Sequence, residues 1–499
     1  MRAGGILLPI YALPSPYGIG TFGNASKHFI DFLCRAGMTY WQILPLSPTS
    51  YGDSPYQSFS AFAGNVYFID PDDLCAAGLL RRDEYQSIDF GTDARRVDYA
   101  ALYRHRHALL HTAATRFLSA PDTDFFSFCN ASPWLEDYAL FMAIKQTQDG
   151  RAWQDWPPPL KFREKARLHA ERVRLEESIK IHKALQYLFY LQWRQVRAYA
   201  NKQGIQIIGD LPIYVAMDSA DVWANPQYFQ LDAQLQPKAV AGCPPDRFTA
   251  TGQLWGNPLF DWNVMHRDDY RWWCARMRHA EKLFDITRID HFRGFSSYYA
   301  VPARDKTAEH GSWQRGPGMA LFESLRKNVG TPAILAEDLG FITPDVEQLL
   351  RECGFPGMKI LQFGFDSRED SDHLPHNYPK HCVAYSGTHD NDTLLGWLHT
   401  APAAAVRYAT QYLHLTRSEG YVNGMLRGLL ASPADIAILQ MQDALQLDSS
   451  ARTNTPGTLG NNWRWRCLAT DFTDALAARL HEQLTIYKRI RKDEAHASR

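Results

Sequence analysis

The amino-acid sequence predicts an α/β fold, a parallel (β/α)8 barrel with inserted, mainly helical subdomains over its C-terminal face. Three observations point there. Eight short apolar runs, rich in β-branched residues, alternate with helical patterns, as do strands buried on both faces. Three of these runs stop on carboxylates: DITRIDHFRG at Asp290, AILAEDLG at Glu337 and Asp338, and VAYSGTHDND at Asp390 and Asp392. Acids at the rim of a core are unfavourable without partners, and barrels gather their chemistry at the C-terminal ends of their strands. Last, 45% hydrophobic and 21% charged residues over 499 positions suit a globular chain with a large core.

In order, the expected strands are GILLP (5–9), YWQILP (40–45), IQIIGDLP (205–212), ITRID (286–290), ILAED (334–338), KILQF (359–363), CVAYSGTHD (382–390) and IAILQMQD (436–443). Most gaps between them hold a crossover helix. The second and third runs are separated by about 160 residues, far more than a βα loop uses. That gap contains YALFMAIK (138–145), the brake WPPPL (156–160) and an amphipathic stretch over roughly 163–201. It reads as an inserted helical subdomain covering about 60–200. A second elaboration, about 218–275, is rich in Pro, Gly and Trp. No repeat or linker divides the chain, so residues 1–499 are expected to form one catalytic barrel.

The formal net charge of −1, without a basic stripe, argues against nucleic acid or an anionic membrane as partner. The N-terminal apolar run is broken by Pro9 and is too short for a secretory signal, and no run is long enough to span a bilayer. Eight scattered cysteines show no CxxC or metal-finger spacing, so reduced thiols and a cytoplasmic location are expected. Aromatics reach 13%, enough to supply sugar-stacking faces besides the core.

Two acids and a third carboxylate at one site are the equipment of a glycosidic-bond enzyme. In RIDHFRG, Arg288 and Asp290 are two apart on a strand and share a face. The cation keeps Asp290 ionised, as a nucleophile toward an anomeric carbon must be. A purely structural Arg–Asp pair is the alternative. Glu337 follows an apolar stretch that favours its protonated form, which suits a general acid that later serves as base. Here the alternative is a helix N-cap run, with Asp338 the better candidate cap. His389 and Asp390 sit on a Gly-Thr turn, where imidazole can bind sugar hydroxyls and a carboxylate can stabilise an oxocarbenium-like state. A metal triad of His389, Asp390 and Asp392 is disfavoured because no second cluster has partner spacing. Asp210 ends another strand, where it can orient neighbours or a sugar hydroxyl. The loop GCPPDRFTATGQLWGNPLFDW (242–262) carries Asp246, Gln253 and Trp255, and TNTPGTLGNNWRWR (453–466) has the same character. Such stiff aromatic loops can close over a chain and exclude water.

These residues, with PSPYGIGTFG, WQILPLSPT and GDSPYQSFSAFAGN in the first 65 positions, resemble the 4-α-glucanotransferases (amylomaltases) of the α-amylase superfamily. The resemblance runs over nearly the whole chain. It implies a barrel without a separate C-terminal β-domain, and transfer of an α-1,4-glucan segment to the 4-hydroxyl of another glucan or glucose. It implies a retaining double displacement with Asp290 as nucleophile, Glu337 as acid/base and Asp390 as stabilising carboxylate. Arg288, His389 and Asp210 match flanking site residues. Tyr56 matches a donor-side stacking aromatic and Tyr51 a secondary glucan-contacting surface. Gln253 and Trp255 match the groove-shaping loop, with Asn461 and Trp463 in the loop opposite. Cys243 and Thr249 depart from the family pattern. No cofactor or metal is implied, and a monomer or weak homodimer is expected. An α-amylase-type hydrolase and a catalytically silent glucan-binding barrel are the competing readings.

Overall fold

The computed structural model describes residues 2–245, 249–340, 342–366, 368 and 370–491, and the backbone but not the side chain of Tyr51. Among the described residues eight strands form one parallel sheet: β1 (Ala3–Leu7), β2 (Tyr40–Gln42), β3 (Gln206–Leu211), β4 (Ile286–Ile289), β5 (Ile334–Ala336), β6 (Gly357–Ile360), β7 (Cys382–Tyr385) and β8 (Ile436–Gln440). Each lies inside or overlaps an expected run. Their order is β6-β7-β8-β1-β2-β3-β4-β5, the circular order of a barrel. β1, β5 and β7 are buried along their whole length, as strands flanked by side chains on one face and helices on the other must be.

The barrel closes between β5 and β6 without a regular ladder. The Ala336 N–H donates to the Pro356 carbonyl at 3.0 Å. Beside it, the Met358 N–H donates to the Asp338 carboxylate at 2.6 Å. A Cβ on Gly357 would fall 2.3 Å from that carboxylate, so the seam needs glycine there. Asp338 therefore does not cap the following helix. That helix, Pro344–Cys353, starts after Thr343 with Pro at its first turn.

The main helices in the long gap before β3 are Tyr99–Ser119, Trp134–Thr147 and Glu176–Lys202. The amphipathic stretch is two helices rather than one, because the chain bends at Leu175 between Lys165–Arg174 and Glu176–Lys202. The longer helix joins insertion to barrel. Its Gln186 side chain accepts from the Gly64 N–H at 2.7 Å, whereas fully buried Trp193 donates to the Leu283 carbonyl at 3.1 Å, just before β4. None of the described helices is long and apolar enough to cross a membrane.

The second elaboration contains a sheet that the sequence does not announce. Strands Ala239–Cys243 and Gln253–Pro258 pair antiparallel, and the sheet is completed by Ser297–Pro302 and Ser312–Arg315, from beyond β4. The last described helix, Asp474–Ile486, packs its Leu484 against Gly4 of β1. Among the described residues no disulfide is formed.

Candidate active site

The site is built from strand ends. Asp210 of β3 and Arg288 of β4 are partners in the ladder register, which sets their side chains together. Arg288 Nη1 donates to both Asp210 oxygens, at 2.7 and 2.8 Å, and Nη2 lies 3.0 Å from Asp290 Oδ1. The guanidinium is thus forked between two carboxylates. Burial alone would lower its pKa, but Asp210 and then Asp290 outweigh burial and hold it well above the ordinary value. Arg288 is a permanent cation at the floor of the site. Asp290 keeps 28% of its side chain exposed, so one face is open to a ligand.

After Asp290 the backbone turns left-handed at His291, with φ of 53°. A non-glycine residue adopts this only under constraint. The turn aims the His291 N–H at Glu337 Oε2, at 2.7 Å, while the Leu339 N–H reaches Oε1 at 2.8 Å. Both oxygens of Glu337 are therefore fixed by main chain. Its pKa is pushed up to about 7, by burial first and by the Asp290 charge second, against the pull of Arg288 and the two amides. Glu337 and Asp290 sense each other electrostatically and share Arg288 as counter-ion.

Beyond β7 the chain presents His389 and Asp390. Asn454 Nδ2 donates to Asp390 Oδ1 at 2.6 Å, and Arg452 donates to the Asp390 carbonyl at 2.6 Å. His389 Nε2 lies 3.4 Å from Asp390 Oδ1. The His389 ring stacks on Tyr56 with centroids 4.9 Å apart and planes 20° from parallel. Tyr56 in turn donates its hydroxyl to Asp210 Oδ2 at 2.7 Å. A continuous run of contacts, Asp390–His389–Tyr56–Asp210–Arg288–Asp290, thus links the acids of three strand ends, and the Tyr56 phenol is raised by burial and by Asp210, Asp290 and Asp390 together. Asp392 turns away, accepting from the Thr393 N–H at 2.8 Å and Ser449 Oγ at 2.7 Å, so the His-Asp-Asp triad does not converge.

Two loops flank the acids. Trp255 Nε1 donates to Gln253 Oε1 at 3.1 Å, and its ring meets His291 edge-on at 4.8 Å, on the Glu337 side. Trp463 is buried opposite, 5.8 Å from both the Tyr56 and His389 rings, with its N–H donated to the Thr453 carbonyl at 2.8 Å. Asn461 is exposed on that loop. Asp246 and the Tyr51 side chain lie outside the described residues.

Sequence reasoning missed Asn454 and the His291 amide, although both lie in quoted segments. Asn454 shows no signal beyond its loop, and an amide has no sequence signature. The sequence spacing pairs Arg288 with Asp290 alone, whereas in the fold its Nη1 also meets both Asp210 oxygens.

A family model described as 4-alpha-glucanotransferase matches residues 8–470. The chain belongs to the 4-alpha-glucanotransferase family. Relatives of that name include a Streptococcus pneumoniae protein, 48% identical over 99% of this chain and 98% of its own, and one from Thermus thermophilus, 45% identical over 98% and 99%. An Arabidopsis thaliana relative named chloroplastic/amyloplastic is 43% identical over 98% of this chain and 86% of its own. The structure of amylomaltase from Streptococcus agalactiae in complex with acarbose superposes with a TM-score of 0.96 at 44% identity, covering 98% of this chain and 100% of that one. The barrel reading of the sequence and the family resemblance both agree with these likenesses.

Proposed function

We propose that this 4-alpha-glucanotransferase family member moves a segment of an α-1,4-glucan onto the 4-hydroxyl of another glucan or glucose, by a retaining double displacement. The observation that carries the reading is the unequal surroundings of two acids: Asp290 is partly exposed beside a fixed cation, and Glu337 is buried with both oxygens held by main-chain amides and its pKa pushed up to about 7. In the first step Glu337 gives its proton to the glycosidic oxygen while Asp290 Oδ attacks the anomeric carbon. The C–O bond breaks, the shortened glucan leaves with that proton, and a β-linked glycosyl ester on Asp290 remains. The Glu337 carboxylate then takes the proton of an acceptor 4-hydroxyl as its oxygen displaces Asp290. Asp390, held by Asn454, stabilises positive charge at the anomeric centre in both steps. His389 and Tyr56 offer an aromatic and hydrogen-bonding wall for the donor sugar.

Arg288 holds Asp290 by an ion pair, and Asp210 fixes Arg288. Trp255 and Trp463 border the cleft and favour a bound sugar over water as acceptor, since a bound acceptor has high effective molarity. In this reading the protein acts in the cytoplasm on maltodextrins, starch or glycogen, without cofactor, metal, nucleic acid or membrane, as a monomer or weak homodimer.

Purified protein given maltotriose should yield glucose and a ladder of longer maltodextrins at constant reducing-end count. A steady rise in reducing ends would instead favour the α-amylase-type hydrolase. D290A and E337Q should each abolish transfer with the fold intact, and near-normal turnover in either would refute the assigned roles.

A further inference from the structure

The turn between β7 and the helix Leu394–Thr400 carries His389 and Asp390, and both of its ends meet at one buried acid. Asp443, from the short helix Met441–Ala444 directly after β8, accepts from Ser386 Oγ at 2.5 Å with one oxygen and from the Leu394 N–H at 2.6 Å with the other. A single carboxylate thus bridges residues eight apart. Ser386 Oγ also accepts from the Gln440 N–H at 3.0 Å, tying the start of the turn to β8. Gln362 Nε2 spans the same two ends, donating to the Ser386 carbonyl at 3.3 Å and the Asp392 carbonyl at 2.7 Å. Packing here is tight: a Cβ on Gly387 would fall 2.3 Å from Gln440 Nε2.

Asp443 is 1% exposed and, among the described residues, has no salt-bridge partner. Burial pushes its carboxyl up to about 7, against the bonds from Ser386 and Leu394, with Asp392 as the charged neighbour adding to the rise. A buried acid without a cation is a poor stabiliser, so packing alone does not account for it. Its geometry does account for it, because a loop closed at both ends has few conformations left.

We propose that Asp443 is a positioning residue for His389 and Asp390, clasping the ends of their turn so that Asp390 stays registered against Asn454 and the rest of the site. The proposal rests on the reading of Asp390 as a transition-state-stabilising acid. Asp443 touches none of the reacting atoms and acts only through the turn.

A double-mutant cycle tests it, using D443A, D390A and the pair, with maltotriose as donor and α-maltotriosyl fluoride where turnover is slow. D443A should lower kcat about a hundredfold, as small misplacements of catalytic groups do, with KM changed less than about threefold. In the D390A background the same substitution should change kcat less than about twofold, because its route of action is gone. A parent-like kcat for D443A, or an equal loss in both backgrounds, overturns this inference and leaves the proposed function standing. A parent-like kcat for D390A overturns both. Should D443A fail to give the parent far-UV spectrum, S386A replaces it in the cycle under the same criteria, since it removes one of the two clasped ends.

Discussion

The two central acids sit in unlike surroundings. Asp290 has Arg288 at 3.0 Å and is partly exposed, whereas Glu337 is 9% exposed and feels the Asp290 charge. A free Glu ionises near 4.3, so the proton that Glu337 holds up to about 7 is a product of the fold. In the proposed mechanism that proton is the one given to the glycosidic oxygen, so kcat/KM should fall as pH rises through about 7, as read from a pH–rate profile. Stability should follow the same proton. Below about 4.3 native and unfolded chains both carry it, and from there to about 7 only the native chain does, so stability falls as pH rises through that window. Above it the native state holds a buried anion, at a penalty of about 4 kcal/mol. E337Q cannot titrate, and its calorimetric Tm should gain on the parent between pH 4.5 and 7.5. A Tm difference flat with pH would show that Glu337 ionises normally. D290N should lower the Glu337 midpoint, seen by carbon-13 NMR, because the like charge is gone.

The working unit at the next scale is a strand that ends in a polar turn. Consecutive residues on an extended chain point to opposite sides, and after β5 this splits two acids between two tasks. Glu337 faces the cleft, and Asp338 faces the seam where it takes the Met358 N–H. The barrel closes there through a side chain because regular pairing is missing between β5 and β6. D338A leaves that amide without its acceptor in a buried seam, a loss of about 1–3 kcal/mol. Hydrogen exchange at Met358 should quicken in D338A and stay near the parent rate in D338N, whose amide oxygen can still accept. Equal exchange in all three would mean that packing and the Ala336–Pro356 backbone bond hold the seam without Asp338. The seam role was not legible in the sequence. The run AEDLG suggests a cap because Asp precedes a helix, and only the approach of Gly357 to Asp338 reveals the other task.

Across the whole molecule, what the sequence shows depends on how local the cause is. The eight barrel strands were legible because each is a short apolar run with its own polar exit. The acids were legible because a carboxylate at such an exit is unfavourable without a task. The antiparallel sheet beside the cleft was not, since Ser312–Arg315 is polar and exposed and Gly242 pairs with Tyr299, far along the chain. Asn454, Ser386 and Asp443 carry no local signal for the same reason: each gains its meaning from a partner far away in sequence. The edge strand of that sheet holds Trp255 against His291, on the Glu337 side of the site. In the proposed mechanism the indole shields the side of the cleft where an ester on Asp290 would await its acceptor. Removing it opens space that water can fill and weakens the stacking surface for an incoming sugar. W255A should therefore raise the ratio of reducing ends formed to glucosyl units transferred on maltotriose by about tenfold or more, an effect of at least about 1.4 kcal/mol in the partition between two acceptors. Its KM for glucose as acceptor should rise, while ester formation from α-maltotriosyl fluoride, followed by the fluoride burst, should change far less. If the burst and the transfer rate fall together with the ratio unchanged, Trp255 serves the first step, and the water-excluding role passes to the opposite loop around Trp463.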